Sequence, residues 1–150
     1  MAQIVVGVDG SDESKEALRW AIEEARLRKA TVRAVHAWTY PVIFGGAYVP
    51  PEVLDGDRLS REAREALDAV VADVAGEDPD AYIEHVVVEG PAAQVLVDAA
   101  RDADLLVVGS RGHGGFAGLL LGSVSQQCAH HAPCAVVVVR QRREEDAAGS

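Results

Sequence analysis

Basic residues are scarce in this 150-residue chain: 14 Lys and Arg stand against 24 Asp and Glu, a formal net charge of −10. A surface so acidic repels nucleic acid and anionic membranes, which argues against both as partners. Cysteine is nearly absent. Cys128 and Cys134 are the only two, and their C-x5-C spacing fits neither a C-x-x-C redox pair nor a zinc site. Both read as small apolar packing residues, consistent with a reducing compartment. No apolar run reaches the ~18 residues that a membrane span requires. The opening Met1-Ala2-Gln3 carries no basic stretch ahead of its first strand, so no secretory signal is expected and the cytoplasm is the expected location. The G-x-x-x-x-G-K-[ST] pattern is missing, which excludes a P-loop enzyme.

What is present suffices for one domain with one substantial core: 49% of the residues are hydrophobic. Strand and helix signals alternate. Gln3–Asp9 reads as a strand, and from Ser11 the residues Ala17, Leu18, Ala21, Ile22 and Ala25 recur at helical spacing. Ser11 suits the N-cap, and Asp12 and Glu13 suit the positive end of the helix dipole. Thr31–Trp38 is a second strand. Thr39–Gly56 carries Pro41, Gly45, Gly46, Pro50 and Pro51 and is no single regular element; loops of this length are usually functional or mobile. A second helix has Leu59, Ala63, Ala66, Leu67, Val70, Val71 and Val74 on one face. Tyr82–Val88 is strand three. Gly90-Pro91 opens a third helix, with Pro91 at its first position, that buries Val95, Leu96, Ala99 and Ala100. Asp104–Gly109 is strand four. A helix spans about Ser123–His131, and Ala135–Arg140 is strand five. Glu144–Ser150 reads as an acidic, fraying tail beyond a domain of residues 1–143.

Strands one, four and five are unbroken apolar runs, as in strands buried on both faces. Five strands and four alternating helices therefore predict an α/β fold: a single open doubly wound five-stranded parallel sheet with helices on both faces. Ligands in such sheets sit beyond the carboxyl ends of the strands where strand order reverses, between strands one and four if these are neighbours. Two chemically different loops then share one cleft. The first, Asp9-Gly10-Ser11, is acidic, with Asp9, Asp12 and Glu13 close together; it would repel a phosphate, and Asp9 suits a ribose hydroxyl or a hydrated Mg2+. The second, Ser110 to Leu121, holds Arg111, Gly112, His113, Gly114, Gly115 and Gly118 with no acidic residue, and its glycines let backbone approach a phosphate. Backbone N–H groups between a strand and a helix favour anions.

Gly109, Gly112, Gly122 and Ser123 form the pattern G-x2-G-x9-G-[S/T] without insertion or deletion. With the opening Val5-Val6-Gly7-Val8-Asp9-Gly10-Ser11 and the element order, this pattern resembles the ATP-binding members of the universal stress protein family over residues 3 to about 140. The resemblance implies a Rossmann-like, adenine nucleotide alpha hydrolase-like fold that binds ATP with Mg2+. It assigns the nucleotide to Gly7, Val8 and Asp9, to Ala37 beside the adenine, and to Val108, Gly109, Arg111, Gly112, His113, Gly114, Gly122, Ser123, Val124 and Ser125. Asp9 would meet the metal through water. It also implies a homodimer through the last strand (Val136, Val137, Val138 and Val139), an undefined protein partner, and a role in stress or dormancy regulation. A slow ATP hydrolase and a nucleotide-free dimeric scaffold are the alternatives. A loose G-x-G-x-x-[G/A] at Gly112–Ala117 lies after the fourth strand with too little chain behind it for a dinucleotide half, which disfavours an NAD enzyme. His113 reads as an exposed loop residue. His36 and the two tryptophans, Trp20 and Trp38, read as packing residues. His130 and His131 are neighbours on a helix and point apart, which argues against a shared metal.

Overall fold

A computed structural model describes residues 2–41, 45, 48–76, 82–111 and 121–140. Gly112, His113, Gly114 and the tail Glu144–Ser150 lie outside the described residues. The elements are β1 (Gln3–Gly7), α1 (Asp12–Arg28), β2 (Thr31–Trp38), α2 (Gly56–Ala75), β3 (Ile83–Glu89), α3 (Ala92–Ala99), β4 (Leu105–Gly109), α4 (Ser123–His131) and β5 (Ala135–Val139). The strands form one sheet in the order β3-β2-β1-β4-β5, and every neighbouring pair is parallel. β1 pairs with both β2 and β4, so strand order reverses between β1 and β4, where it was expected.

Alternation along β1 explains its unbroken apolar run. Ile4 and Val6 face a core shared with Leu18 of α1 and Leu67 of α2. Val5 faces a second core with Leu96 of α3, Leu106 of β4 and Cys128 of α4. β4 divides in the same way, with Leu105 and Val107 on one side and Leu106 and Val108 on the other. A strand sandwiched between two helical layers has no solvent face on which to place a polar residue. Each fully buried Leu, Ile or Val contributes roughly 1.5–3 kcal/mol relative to exposure.

α1 follows its sequence signals closely. Ala17, Leu18, Ala21, Ile22 and Ala25 are buried, and the Ser11 hydroxyl caps the helix by accepting the Ser14 N–H at 3.2 Å. Lys29, at φ 55°, ends it in the left-handed region, its N–H reaching the carbonyls of Ala25 and Arg26. Trp20 packs partly buried against the first core. Trp38 meets Tyr40 edge-on at 5.3 Å between ring centroids. Cys128 is buried and Cys134 half-buried, both as free thiols.

Several boundaries and faces differ from expectation, among them the start of β4 at Leu105 rather than Asp104 and the end of β5 at Val139 rather than Arg140. β1 stops at Gly7 rather than Asp9. The Val8 N–H still reaches the Val35 carbonyl at 2.9 Å, but the Asp9 carboxylate accepts the Ser11 N–H and turns the chain out of the sheet. β3 is shifted by one residue, to Ile83–Glu89. Pro91 is the N-cap of α3, not its first helical residue, since its backbone is extended (ψ 134°) while its carbonyl accepts the Val95 N–H. Ala66 is exposed, because α2 buries only the narrow stripe Ala63, Leu67 and Val71. Within Thr39–Gly56, a short 3-10 turn at Pro51–Leu54 precedes the Asp55 cap of α2.

β5 is an edge strand, with Val136–Val139 half-buried. Among the described residues, no helix is long and apolar enough to cross a membrane.

Candidate functional site

A cleft of about 290 Å³ opens where β1 and β4 part at their carboxyl ends. Its volume is near the lower end of the roughly 300–1,000 Å³ common for small-molecule sites. The floor is apolar and comes from Val35 and Ala37 of β2, Ala92 and Leu96 of α3, Val108 of β4 and Val124 of α4. Gly7 belongs to this floor for a steric reason: a Cβ there would lie 2.8 Å from Leu96 Cδ1. The missing side chain lets Leu96 settle onto β1.

The β1–α1 wall carries a hydroxyl network built around Asp9. Asp9 Oδ1 accepts from the Ser11 N–H at 2.9 Å and the Ser11 hydroxyl at 2.5 Å. The Ser14 hydroxyl donates to the Ser11 carbonyl at 2.9 Å and accepts the Asp9 N–H at 3.3 Å. Ser11 and Ser14 both line the cleft, and Asp9 is exposed at its mouth.

The opposite wall is the exit of β4 and the start of α4. Its amides are not bare. The Ser110 N–H donates to the Val139 carbonyl at 2.8 Å, and the Gly122 N–H donates to the Ser110 carbonyl at 2.6 Å. The Arg111 N–H donates to Glu13 Oε2. That carboxylate, 7% exposed, also accepts the Ser110 hydroxyl at 2.6 Å, while its other oxygen lies 3.6 Å from the Arg111 guanidinium. The buried Ser125 hydroxyl donates to the carbonyls of Ser110 and Gly122 at 2.9 and 3.0 Å. α4 itself begins at Gly122 with no side-chain cap. The first N–H groups of a helix have no intrahelical partner, so its first turn, at Ser123, Val124 and Ser125, presents amide hydrogens and the positive end of the dipole at the cleft. Among the described residues, an anion would therefore meet the amides of the helix start, one part of the expected donor set; residues 112–120 lie outside the described residues.

The sequence-derived residues converge on this cleft. Gly7, Val8, Asp9, Ala37, Val108, Gly109, Arg111, Gly122, Ser123, Val124 and Ser125 all line it; Gly112, His113 and Gly114 are outside the described residues. Sequence reasoning missed Ser14 and Leu96 as parts of this site, and it placed Glu13 in the acidic first loop without its bonds to Ser110 and Arg111 on the opposite wall. A signal for Glu13 existed. Glu13, Ala17, Ala21 and Ala25 repeat every four residues along the buried stripe of α1.

None of the described histidines is among the residues lining the cleft. His36 is half-buried with Nδ1 2.7 Å from the Val8 carbonyl oxygen. It alternates with the cleft-facing Val35 and Ala37 and so belongs to the opposite face of the sheet. The exposed rings of His130 and His131 are 6.3 Å apart and tilted by 54°. Among the described residues, no group of three or more His, Cys, Asp or Glu side chains has the arrangement to hold a metal ion. Among the described residues lining the cleft, Asp9 alone offers a carboxylate.

Comparison with known proteins gives these residues a context. The model of the universal stress protein family matches residues 1–140. A universal stress protein of Mycobacterium tuberculosis (strain H37Rv) is 39% identical over 140 residues, which cover 93% of this chain and 46% of that protein. The chain spans about half the length of the curated relatives it matches. A universal stress protein solved in complex with cAMP is 30% identical, with a TM-score of 0.59 over 93% of this chain and 96% of that one. The universal stress protein of Archaeoglobus fulgidus in complex with dAMP is 26% identical, with a TM-score of 0.55 over 93% of this chain and 98% of that one.

Proposed function

The chain belongs to the universal stress protein family, and from that premise we propose that its cleft binds an adenine nucleotide, ATP with Mg2+, in a cytoplasmic homodimer that regulates a stress or dormancy response. The observation that carries this reading is the pairing, within one cleft, of an apolar floor and an uncapped helix start. A purine needs a flat apolar slot, and phosphates need oriented amide donors. Val35, Ala37, Leu96 and Val108 supply the first, and Ser123 to Ser125 with Arg111 supply the second. Asp9 lies at the mouth between them, where a ribose hydroxyl or a metal-bound water would find an acceptor. Solved relatives in complex with cAMP and dAMP support an adenine nucleotide as the ligand class.

One carboxylate is a sparse site for Mg2+, but Mg2+ is commonly held by one or two carboxylates together with substrate phosphates and water. In that arrangement Asp9 would hold the ion through water, and bound Mg2+ would offset phosphate charge. The edge strand β5 would form the dimer by pairing with its copy, which would also remove an exposed strand edge.

Calorimetry of ATP against the wild type and Ala37→Phe tests the reading, with native mass spectrometry reporting bound nucleotide and subunit number together. The phenyl ring would fill the apolar floor. We expect ATP to bind the wild type and to lose at least about tenfold in affinity, about 1.4 kcal/mol, in the variant. A wild type that binds no adenine nucleotide, or a folded Ala37→Phe that binds as tightly, refutes it.

A further inference from the structure

We infer that Glu13 is a positioning residue: it ties the two walls of the cleft together and sets the phosphate side for its ligand. The inference rests on the proposed nucleotide site and adds a residue to it. Glu13 sits in the first turn of α1, on the wall that carries Asp9, Ser11 and Ser14. Its carboxylate crosses to the other wall, where it accepts the Ser110 hydroxyl and the Arg111 N–H and faces the Arg111 guanidinium. Ser110 passes the constraint on, because its carbonyl accepts from both the Gly122 N–H and the Ser125 hydroxyl. One buried carboxylate thereby fixes the chain from α1 through the exit of β4 to the first turn of α4, whose amides face the cleft.

The chemistry suits a residue that holds others and does not itself touch the ligand. Glu13 is not among the residues lining the cleft. A buried carboxylate demands hydrogen-bond donors, and here a hydroxyl and a backbone amide meet that demand. Backbone contact reinforces the link: a Cβ on Gly109 would lie 3.0 Å from the Glu13 carbonyl carbon. Pairing with Glu13 also orients the guanidinium of Arg111, the one Lys or Arg among the described residues lining the cleft.

Glu13→Ala and Glu13→Gln separate anchoring from charge. The Gln side-chain oxygen can still accept from the Ser110 hydroxyl and the Arg111 N–H, while its NH2 group replaces the oxygen that faces Arg111, so the ion pair is lost and the anchor kept. Adenosine, which lacks phosphates, serves as the internal control. In calorimetric titrations we expect Glu13→Ala to weaken ATP at least tenfold and adenosine less than threefold. Glu13→Gln should stay within threefold of the wild type for both. Hydrogen exchange of the ligand-free proteins should show the Arg111 amide exchanging at least tenfold faster in Glu13→Ala. Equal losses for ATP and adenosine would mark a general folding defect and overturn the inference. Unchanged or tighter ATP binding in Glu13→Ala would overturn it too, with the nucleotide site intact. A wild type that binds neither ligand would overturn the functional reading. Amide exchange alone then decides the anchoring, and equal rates in wild type and Glu13→Ala would overturn that as well.

Discussion

Gly109→Ala should destabilise the protein through the backbone of a helix rather than through a ligand. Gly109 ends β4 in register with Val139. The described glycines with positive φ are Gly10, Gly45, Gly76 and Gly90, so Gly109 needs no special dihedral. It needs space. A Cβ there would lie 3.0 Å from both the carbonyl carbon and the Cβ of Glu13, and 3.2 Å from its carbonyl oxygen. These atoms belong to the first turn of α1, which the Ser11 cap and the Glu13 carboxylate hold in place. The helix start would have to retreat by a few tenths of an ångström. Overpacking of this kind costs about 1–3 kcal/mol, and the rigidity of the neighbour favours the upper half of that range. At roughly 2–4 °C per kcal/mol for a domain of this size, the melting temperature should fall by about 4–12 °C. Gly7→Ala provides the contrast. Its Cβ would come closer, 2.8 Å from Leu96 Cδ1, but that atom is the end of a rotatable side chain beside an open cleft. The cost should be about 1 kcal/mol. Differential scanning calorimetry and urea titration of both variants test the ranking. A Gly109→Ala protein melting within about 1 °C of the wild type, or a Gly7→Ala protein that is the less stable of the two, refutes the reasoning.

Burial pushes the Cys128 thiol up from 9.0 to about 11. The unfolded thiol therefore loses its proton first, so its contribution to stability is complete below pH 9 and is lost as pH rises toward 11. The urea midpoint should drop more steeply between pH 8 and 10.5 in the wild type than in Cys128→Ala, and parallel slopes would contradict this. Removal of Mg2+ with EDTA should weaken ATP binding several-fold and leave adenosine unchanged. Among the described residues lining the cleft, Arg111 is the one Lys or Arg, and it already faces Glu13; the chain carries a net charge of −10. Equal ATP affinity with and without the chelator in calorimetry would remove Mg2+ from the site.

The parts of the fold legible in the sequence were those that depend on local pattern. The apolar runs Ile4–Val6 and Leu105–Val108 announced strands buried on both faces, and the four-residue recurrence in α1 announced its inner face. The reversal between β1 and β4 was legible only on the condition that these strands are neighbours, and the sheet order meets that condition. What escaped were features that depend on a partner distant in sequence. Ala66 fitted the apolar face of α2 by spacing, but the layer beneath is only wide enough for the Ala63–Leu67–Val71 stripe. Asp9 read as the end of a strand, because the bond to Ser11 that lifts it from the sheet competes with strand geometry only locally. Glu13 carries a charge at a helix start, a pattern that a solvated residue satisfies equally well. Only the arrival of Ser110 and Arg111, 97 and 98 residues later, makes it a buried acceptor.

The same long-range logic divides the glycine signature into parts with different duties. Its first glycine is required where β4 meets α1, and the amides of the two residues after it serve β5 and Glu13. Its last glycine opens a helix without a side-chain cap, and the residues after that are the ones whose amides face the cleft. A motif read as one phosphate cradle is, over its described residues, a scaffold at one end and a donor set at the other. The two ends are joined by the Ser110 carbonyl, which accepts from Gly122 and Ser125. A helix start is worth only about 0.3–2 kcal/mol to a nearby anion, too little to hold a polyphosphate against an acidic protein. The donor set therefore matters through its placement: it fixes where an anion sits relative to the apolar floor. In the proposed nucleotide complex, the strength of binding would come from burial of the base on that floor together with cations at the phosphate end. Loss of the floor should accordingly weaken adenosine and ATP alike, whereas loss of the Glu13 link should separate them.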